Sequence, residues 1–248
     1  MKKMTMSKTS KQNFITYAMV IVAYVIFQTL SATGNLSSLM QGLLVPLCTY
    51  SILAVSLNLT VGVLGELSLG HAGFMCIGAF SSAFFTACMK DTITNDLLRF
   101  ILAFIVAAVC AGICGILIGI PVLRLKGDYL AIVTLAFGEI IMNIINALYV
   151  GRDENGFHFS MKDSMSLNMS DSGKIIIKGA QGITGTARQS TFTIGIILLL
   201  LTLVVVLNLM NSRSGRAIMS IRDNRIAAES IGIDITKYKI MAFAISAS

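Results

Sequence analysis

The sequence predicts an all-α, polytopic transmembrane helical bundle with a cytoplasmic N-terminus, about six full spans and the start of a seventh. Of its 248 residues, 55% are hydrophobic and 12% are charged, roughly half the charged share of a soluble domain. The apolar residues form runs of about 20, the length that an α-helix needs to cross a bilayer. The net charge of +7 fits basic loops on one side of a membrane, so no nucleic-acid partner is expected.

The predicted spans follow one another along the chain. The first follows a basic stretch and could be a signal peptide, but it is longer than the usual apolar region of one, so an uncleaved helix is favoured. A seventh apolar run begins near Ile240 and reaches Ser248, which indicates a fragment or a C-terminally truncated chain. The six full spans cover residues 14–33, 39–62, 67–89, 98–122, 129–150 and 191–210.

The positions of Lys and Arg predict the orientation of these spans. Basic residues occur in the N-terminal tail, between the fourth and fifth spans, and after the sixth. A cytoplasmic N-terminus puts all three groups in the cytoplasm, as the positive-inside rule requires. We therefore predict a cytoplasmic tail (1–13) and a single transmembrane domain (14–248). That domain includes an external loop (151–190) and a cytoplasmic segment (211–239).

A glycine-rich stretch, GELSLGHAGFMCIGAF (65–80), places Glu66 and His71 beside the start of the third span. Glycines are common where membrane helices pack closely or where a helix breaks. One interpretation is tight packing with both polar groups satisfied. The other is a discontinuous helix that lines a transport pathway. Periodicity does not separate the two.

The fifth span carries a second polar group. Glu139, Asn143 and Asn146 share one helix face. A charge at mid-membrane costs about 2.5–3.5 kcal/mol, so this face should meet the bundle interior or water rather than lipid. Pathway lining is favoured, and a structural hydrogen-bond network is the alternative.

The fourth span carries small residues at every fourth position. They are Ala107, Ala111, Gly115 and Gly119. Such a stripe predicts a helix-packing face rather than a chemical site.

The basic segment, residues 211–239, differs from the apolar spans. Four of its apolar positions recur at spacings compatible with an amphipathic helix, namely Ile218, Ile221, Ala228 and Ile231. Gly232 suits the end of a helix. Either this segment rests on anionic lipid, or it docks on a cytoplasmic partner. Its mixture of acidic and basic residues favours the protein partner.

Metal and nucleotide sites are not indicated. The five cysteines lie within or beside apolar runs and predict small buried side chains. No GxxxxGK[ST] phosphate loop occurs, so any ATPase must be a separate chain. We expect no cofactor, no metal and no catalytic residue.

Three blocks together resemble the membrane permeases of branched-chain amino acid ABC importers, of the LivM type. The resemblance covers most of the chain from about residue 40 to 248. The blocks are NLTVGVLGELSLGHAGFMCIGAF (58–80), LRLKGDYLAIVTLAFGEII (123–141) and SGRAIMSIRDNRIAAESIGI (214–233).

The resemblance implies a multi-pass, lipid-embedded subunit of the plasma (inner) membrane that is not itself an enzyme. It implies pairing with a homologous second permease subunit and docking of two cytoplasmic ATP-binding subunits. It also implies an external binding protein that delivers leucine, isoleucine or valine.

The motifs and the residue patterns together predict two groups of functional residues. For the translocation path or gate they are Glu66, Ser68, Gly70, His71, Gly73, Glu139 and Asn143. For coupling to the ATPase, the resemblance implies Arg216, Arg222, Ala228, Glu229 and Gly232.

Other functions remain open at this point. An ion-gradient-driven secondary transporter could use Glu139, Glu66 and His71 as a proton relay. A membrane-embedded enzyme could use Glu66 and His71, but these two residues form neither a metal-ligand set nor an HExxH motif. Within the ABC class, a permease could carry another small solute such as urea or an amide.

Overall fold

The fold is known from a computed structural model, and the statements below concern the residues it describes. These are residues 8–90, 92–93, 95–122, 125, 128–153, 156–162, 165–167, 174–183 and 190–248. The predicted tail is therefore described only from Lys8. Arg124 and Lys126, the basic pair between the fourth and fifth predicted spans, lie outside the described residues.

Long apolar helices dominate the described chain. Six are long and apolar enough to cross a membrane, which confirms the predicted all-α polytopic bundle. They are α1 (Lys8–Ala32), α2 (Ser38–Asn58), α3 (His71–Cys88), α4 (Asp96–Val122), α5 (Asp128–Ala147) and α6 (Phe192–Asn211). Three further helices follow, α7 (Arg213–Asp223), α8 (Arg225–Ser230) and α9 (Ile235–Ala247).

The chain divides into two compact units. The first contains α1, α2 and α6, from the residues up to Ser56 together with Ser190–Arg216. The hydroxyls of Tyr24 on α1 and Thr193 on α6 lie 3.1 Å apart. Thr191 caps α6 by accepting a hydrogen bond from the Ile194 amide. Side chains from α2 and α6 form a core of Cys48, Ile196, Leu199 and Leu203.

The second unit contains α3, α4, α5, α8, α9 and most of α7, from residues 57–189 and 217–248. A core cluster of Phe74, Ile118, Leu130 and Phe243 joins α3, α4, α5 and α9.

The small-residue stripe of α4 faces this second unit's interior. Ala111, Gly115 and Gly119 are buried. A Cβ at Gly115 would lie 2.8 Å from the Ala247 side chain, so only glycine allows α4 and α9 to approach this closely. The predicted packing face is confirmed.

A small antiparallel sheet follows α5, which the sequence did not predict. Its strands are β1 (Tyr149–Asp153), β2 (Gly156–Ser160) and β3 (Lys174–Lys178), in the order β2-β1-β3. Val150 packs with Ile176, Ile177 and Cys88. Three consecutive isoleucines favour strand in β3, and β1 begins at Tyr149, so the fifth span ends at Ala147 rather than at residue 150.

Candidate functional site

The path from α2 to α3 is interrupted. After Asn58 the backbone widens into a π-helical turn (Leu59–Leu64), which ends at Gly65 in the left-handed conformation with φ +79°. The Glu66 amide donates to the Thr60 carbonyl at 3.1 Å. Residues 65–70, hereafter the break segment, are not helical. The third helix therefore begins at His71, four residues later than the predicted start of the third span.

Glycines hold the end of the break segment against α5. A Cβ at Gly70 would overlap the backbone carbonyl of Thr134, and a Cβ at Gly138 would lie 3.4 Å from the Gly70 Cα. The Leu69 amide donates to Thr134 Oγ1 at 3.1 Å. Gly73 makes a similar contact, since its Cβ would lie 3.2 Å from the Gly138 Cα. Thus Gly70 and Gly73 serve tight packing, while their gating role stays a prediction.

A buried ion pair anchors the break segment to α9. Lys239 Nζ pairs with Glu66 Oε1, and their side chains are only 6% and 18% exposed. The other carboxylate oxygen, Oε2, has no hydrogen-bond partner among the described residues. Removing one partner of a buried pair costs about 3–5 kcal/mol, because the remaining charge is left uncompensated.

A second contact with α9 involves His71, which is buried at the first turn of α3. Its Nε2 lies 3.0 Å from the Ser246 backbone oxygen and 3.2 Å from Ser246 Oγ. Because a carbonyl can only accept, the 3.0 Å contact assigns the proton to Nε2. Ser68 is also buried, and its Oγ has no hydrogen-bond partner among the described residues.

The polar face of α5 lies elsewhere. Glu139, Asn143 and Asn146 are exposed, not enclosed within their unit, and Asn143 Nδ2 donates to the Glu139 backbone oxygen at 2.9 Å. Among the described residues, no hydrogen bond or ion pair joins this face to Glu66 or His71. The predicted path residues therefore form two separate groups, one in the break segment and the first turn of α3, and one on the exposed face of α5.

The basic segment is not one amphipathic helix but α7, α8 and the start of α9. Asn224 caps α8 by accepting a hydrogen bond from the Ala227 amide at 3.1 Å. Gly232 ends it with φ +85°. The Gly232 amide donates to the Glu229 carbonyl and the Ile233 amide to the Ala228 carbonyl, at 3.0 and 3.1 Å. This is a Schellman motif, which confirms Gly232 as a helix end.

The basic segment has a buried face and an exposed face. Ile221 of α7, Ala228 of α8 and Ile235 of α9 form one buried cluster. Ile226 and Ile231 are 81% and 75% exposed. The predicted single amphipathic helix over 218–231 is therefore wrong, and Ile231 is exposed beyond the end of α8. Glu229 is exposed on α8 as well.

Arg222 connects the basic segment to the π-helical turn. Its Nη1 donates to the Gly62 carbonyl at 2.8 Å, and Asp223 pairs with the same guanidinium at 3.2 Å. A Cβ at Gly65 would lie 2.5 Å from the Arg222 Cγ, so the side chain crosses directly over this glycine. Arg216 instead donates to the Asn211 carbonyl at the end of α6, at 3.2 Å.

Sequence reasoning missed three partners at this site, namely Thr134 and Lys239 for the break segment and Ser246 for His71. Lys239 was counted among the basic residues of a cytoplasmic loop, whereas the structure buries it. A lysine at the edge of an apolar run was the available signal, because a buried lysine needs an anionic partner. Nothing local marked Thr134 or Ser246.

Comparisons with known proteins give a family and two relatives. A family described as "Branched-chain amino acid transport system / permease component" matches residues 39–248. The relatives are high-affinity branched-chain amino acid transport system permease proteins LivM from Salmonella typhimurium (strain LT2) and Escherichia coli (strain K12). Each is 31% identical over 208 residues.

That match covers 80% of this chain and 47% of each relative, so the chain spans about half the length of the curated relatives it matches. No solved structure gives a significant match.

Proposed function

Because this chain belongs to the family of permease components of branched-chain amino acid transport systems, we propose that it forms part of the translocation path of an ATP-driven importer for leucine, isoleucine and valine. With six candidate spans, it is a multi-pass protein of the inner membrane. The proposal takes the N-terminus as cytoplasmic, as the basic residues predict.

One observation carries the proposal. The basic segment, which would face a cytoplasmic ATPase, contacts the connection between α2 and α3 directly through Arg222 at Gly62 and Lys239 at Glu66. Non-helical backbone beside membrane spans is kept inside protein or lines a pathway, so this connection suits a transport path. A secondary transporter has no need for such a segment beside its helix break.

The exposed face of the basic segment suits an ATP-binding subunit. Ile226 and Ile231 stand beside Arg225 and Glu229, so the surface combines apolar area with both signs of charge. A lipid-binding helix would carry mostly positive charge around its apolar stripe. We therefore assign four exposed residues to the docking surface, namely Arg225, Ile226, Glu229 and Ile231. Ala228 is buried beneath this surface, and Gly232 forms the turn that ends α8.

The exposed polar face of α5 suits a homologous second permease subunit. Glu139 and Asn143 would cost several kcal/mol if they faced lipid. Pairing of two permease subunits across a central path would place them toward that path. The remaining proposed partners are two ATP-binding subunits and an external substrate-binding protein.

The test is uptake of labelled leucine into cells that carry this chain with its partner subunits. ATP is depleted in one arm, and the proton gradient is collapsed in the other. We expect uptake to stop with ATP depletion and to persist without the gradient. Dependence on the gradient alone would overturn the proposal in favour of a secondary transporter.

Substrate choice needs a competition arm in the same assay. Unlabelled isoleucine and valine should reduce leucine uptake, whereas urea and acetamide should not. If only urea or an amide competes, the permease assignment stands and the amino acid substrate is wrong.

A further inference from the structure

The break segment and the π-helical turn before it are held by contacts of two kinds. The α5 helix contacts the break segment through backbone atoms and the short Thr134 side chain. The α7 and α9 helices instead use long charged side chains, Arg222 at the π-helical turn and Lys239 at the break segment. A short contact between backbones allows little displacement, whereas a long side chain can follow a moving partner.

The elements that carry these long side chains are tied to one another. Ile221 of α7, Ala228 of α8 and Ile235 of α9 share one buried cluster. Asn224 caps α8 at one end, and the Schellman motif at Gly232 closes it at the other. Because α8 lies between Arg222 and Lys239 in the chain, a force on α8 reaches both contacts.

We propose that the Arg222–Gly62 and Glu66–Lys239 contacts form a two-point linkage through which displacement of α8 moves the π-helical turn and the break segment, with Lys239 as a positioning residue. This inference rests on the proposed function, since it needs a partner that displaces α8. It adds Lys239, outside both predicted residue groups, and pairs Glu66 with it as a coupling element.

The chemistry of the pair favours a linkage over a purely stabilising contact. A buried ion pair can usually be replaced by packed apolar side chains without loss of stability. Here one carboxylate oxygen, Oε2, has no hydrogen-bond partner among the described residues, so the pair is not fully satisfied in this conformation. The two opposite charges attract each other in a buried site, so Glu66 is drawn along when Lys239 moves.

The experiment measures the coupling ratio, defined as leucine taken up per ATP hydrolysed, in liposomes containing the complex that purifies with this chain. The key variant is the double change Glu66→Leu with Lys239→Met, which removes both charges and leaves none uncompensated. Lys90→Met is the matched control, because it removes an exposed lysine at the end of α3. Arg222→Met tests the second contact on an exposed side chain, where folding is least at risk.

We expect the double variant and Arg222→Met each to hydrolyse ATP while the coupling ratio falls about tenfold, within the usual range of couplings between sites. Lys90→Met should keep the wild-type ratio. A contact that only supports folding would lower the amount of complex and leave the ratio unchanged.

An unchanged ratio in both variants overturns the linkage and leaves the proposed function standing. If the double variant fails to assemble, Arg222→Met decides alone, and a wild-type ratio there overturns the linkage. Absence of ATP-dependent uptake in the wild-type complex overturns the proposed function and the linkage with it.

Discussion

Two glutamates of the second unit show how differently one residue type can be used. Glu66 lies in the break segment, is largely buried and pairs with Lys239 of α9. Glu139 lies in the middle of α5, on an exposed face, with Asn143 bound to its backbone oxygen. Both interrupt apolar sequence, and both were predicted to serve the path. The protein itself neutralises Glu66, whereas Glu139 is directed outward from its unit.

The difference lies in the local backbone. In an unbroken helix such as α5, the backbone is fully hydrogen-bonded and polar side chains can only lie on one of its faces. Whether such a face is covered depends on the neighbouring helices or chains. The break segment leaves helical geometry, so its side chains and amides can be reached by α5, α7 and α9 at once. A polar residue at a helix break is therefore expected to matter for folding, and one on an intact helix mainly for function.

The largest expected effect is that of Glu66→Gln. It leaves Lys239 buried without a counter-charge, which should lower the free energy of unfolding by about 3–5 kcal/mol. Unfolding in detergent can be followed with a thiol-reactive dye, because the Cys88 thiol is buried in the second unit. A loss below about 0.5 kcal/mol, typical of surface substitutions, would contradict the buried pair.

The next effect is that of Gly70→Ala, which tests the contact of the break segment with α5. The added methyl would overlap the Thr134 carbonyl, a backbone atom that cannot turn aside. Overpacking of this kind costs about 1–3 kcal/mol, and leucine uptake should fall with it. Gly78→Ala is the matched control, since its Cβ would meet α4 at 3.9 Å. Equal uptake in the two variants would argue against a tight contact at Gly70.

A smaller effect is expected for Thr134→Val, which keeps the shape of the side chain but removes its hydroxyl. The Leu69 amide would lose its acceptor in a partly buried site, and a fully buried donor left unpaired costs about 1–3 kcal/mol. We expect the lower end of that range, because water can replace one acceptor in a polar break. Faster hydrogen exchange of the Leu69 amide, measured by mass spectrometry, is the direct readout. Unchanged exchange would show that Thr134 does not hold the break segment.

The smallest effect on stability should come from Glu139→Gln, the same chemical change as at Glu66. On an exposed face it should alter the free energy of unfolding by less than about 0.5 kcal/mol. Leucine uptake should nevertheless fall if the face lines the path. A destabilisation matching that of Glu66→Gln would erase the contrast between the two glutamates, and normal uptake would remove Glu139 from the path.

Much of the fold could be predicted from composition and run length. Apolar runs of about 20 residues gave six helices close to their observed bounds, because helix length is set by the bilayer. The small residues of α4 and the helix end at Gly232 also followed from local chemistry. The sheet at 149–178 was missed, since β1 continues the apolar sequence of the fifth span and the three isoleucines of β3 lie in the long loop that follows.

The site could be predicted only in part. The sequence marked Glu66, His71 and the glycines around them, because polar residues and glycines are conspicuous in apolar sequence. It did not mark their partners, since the contacts join residues far apart in the chain. Leu69 and Thr134 are separated by 65 residues, Gly62 and Arg222 by 160, and His71 and Ser246 by 175.

The sequence by itself determined that this protein is a polytopic membrane helix bundle with a basic, structured segment after its sixth span. Those properties depend on composition and on the spacing of residues along a single helix, and both can be read directly from the sequence. Only the tertiary structure decided that Lys239 neutralises Glu66, that Arg222 reaches Gly62, and that Glu139 faces outward. Burial and charge pairing depend on which elements meet, and that depends on the packing of the whole unit.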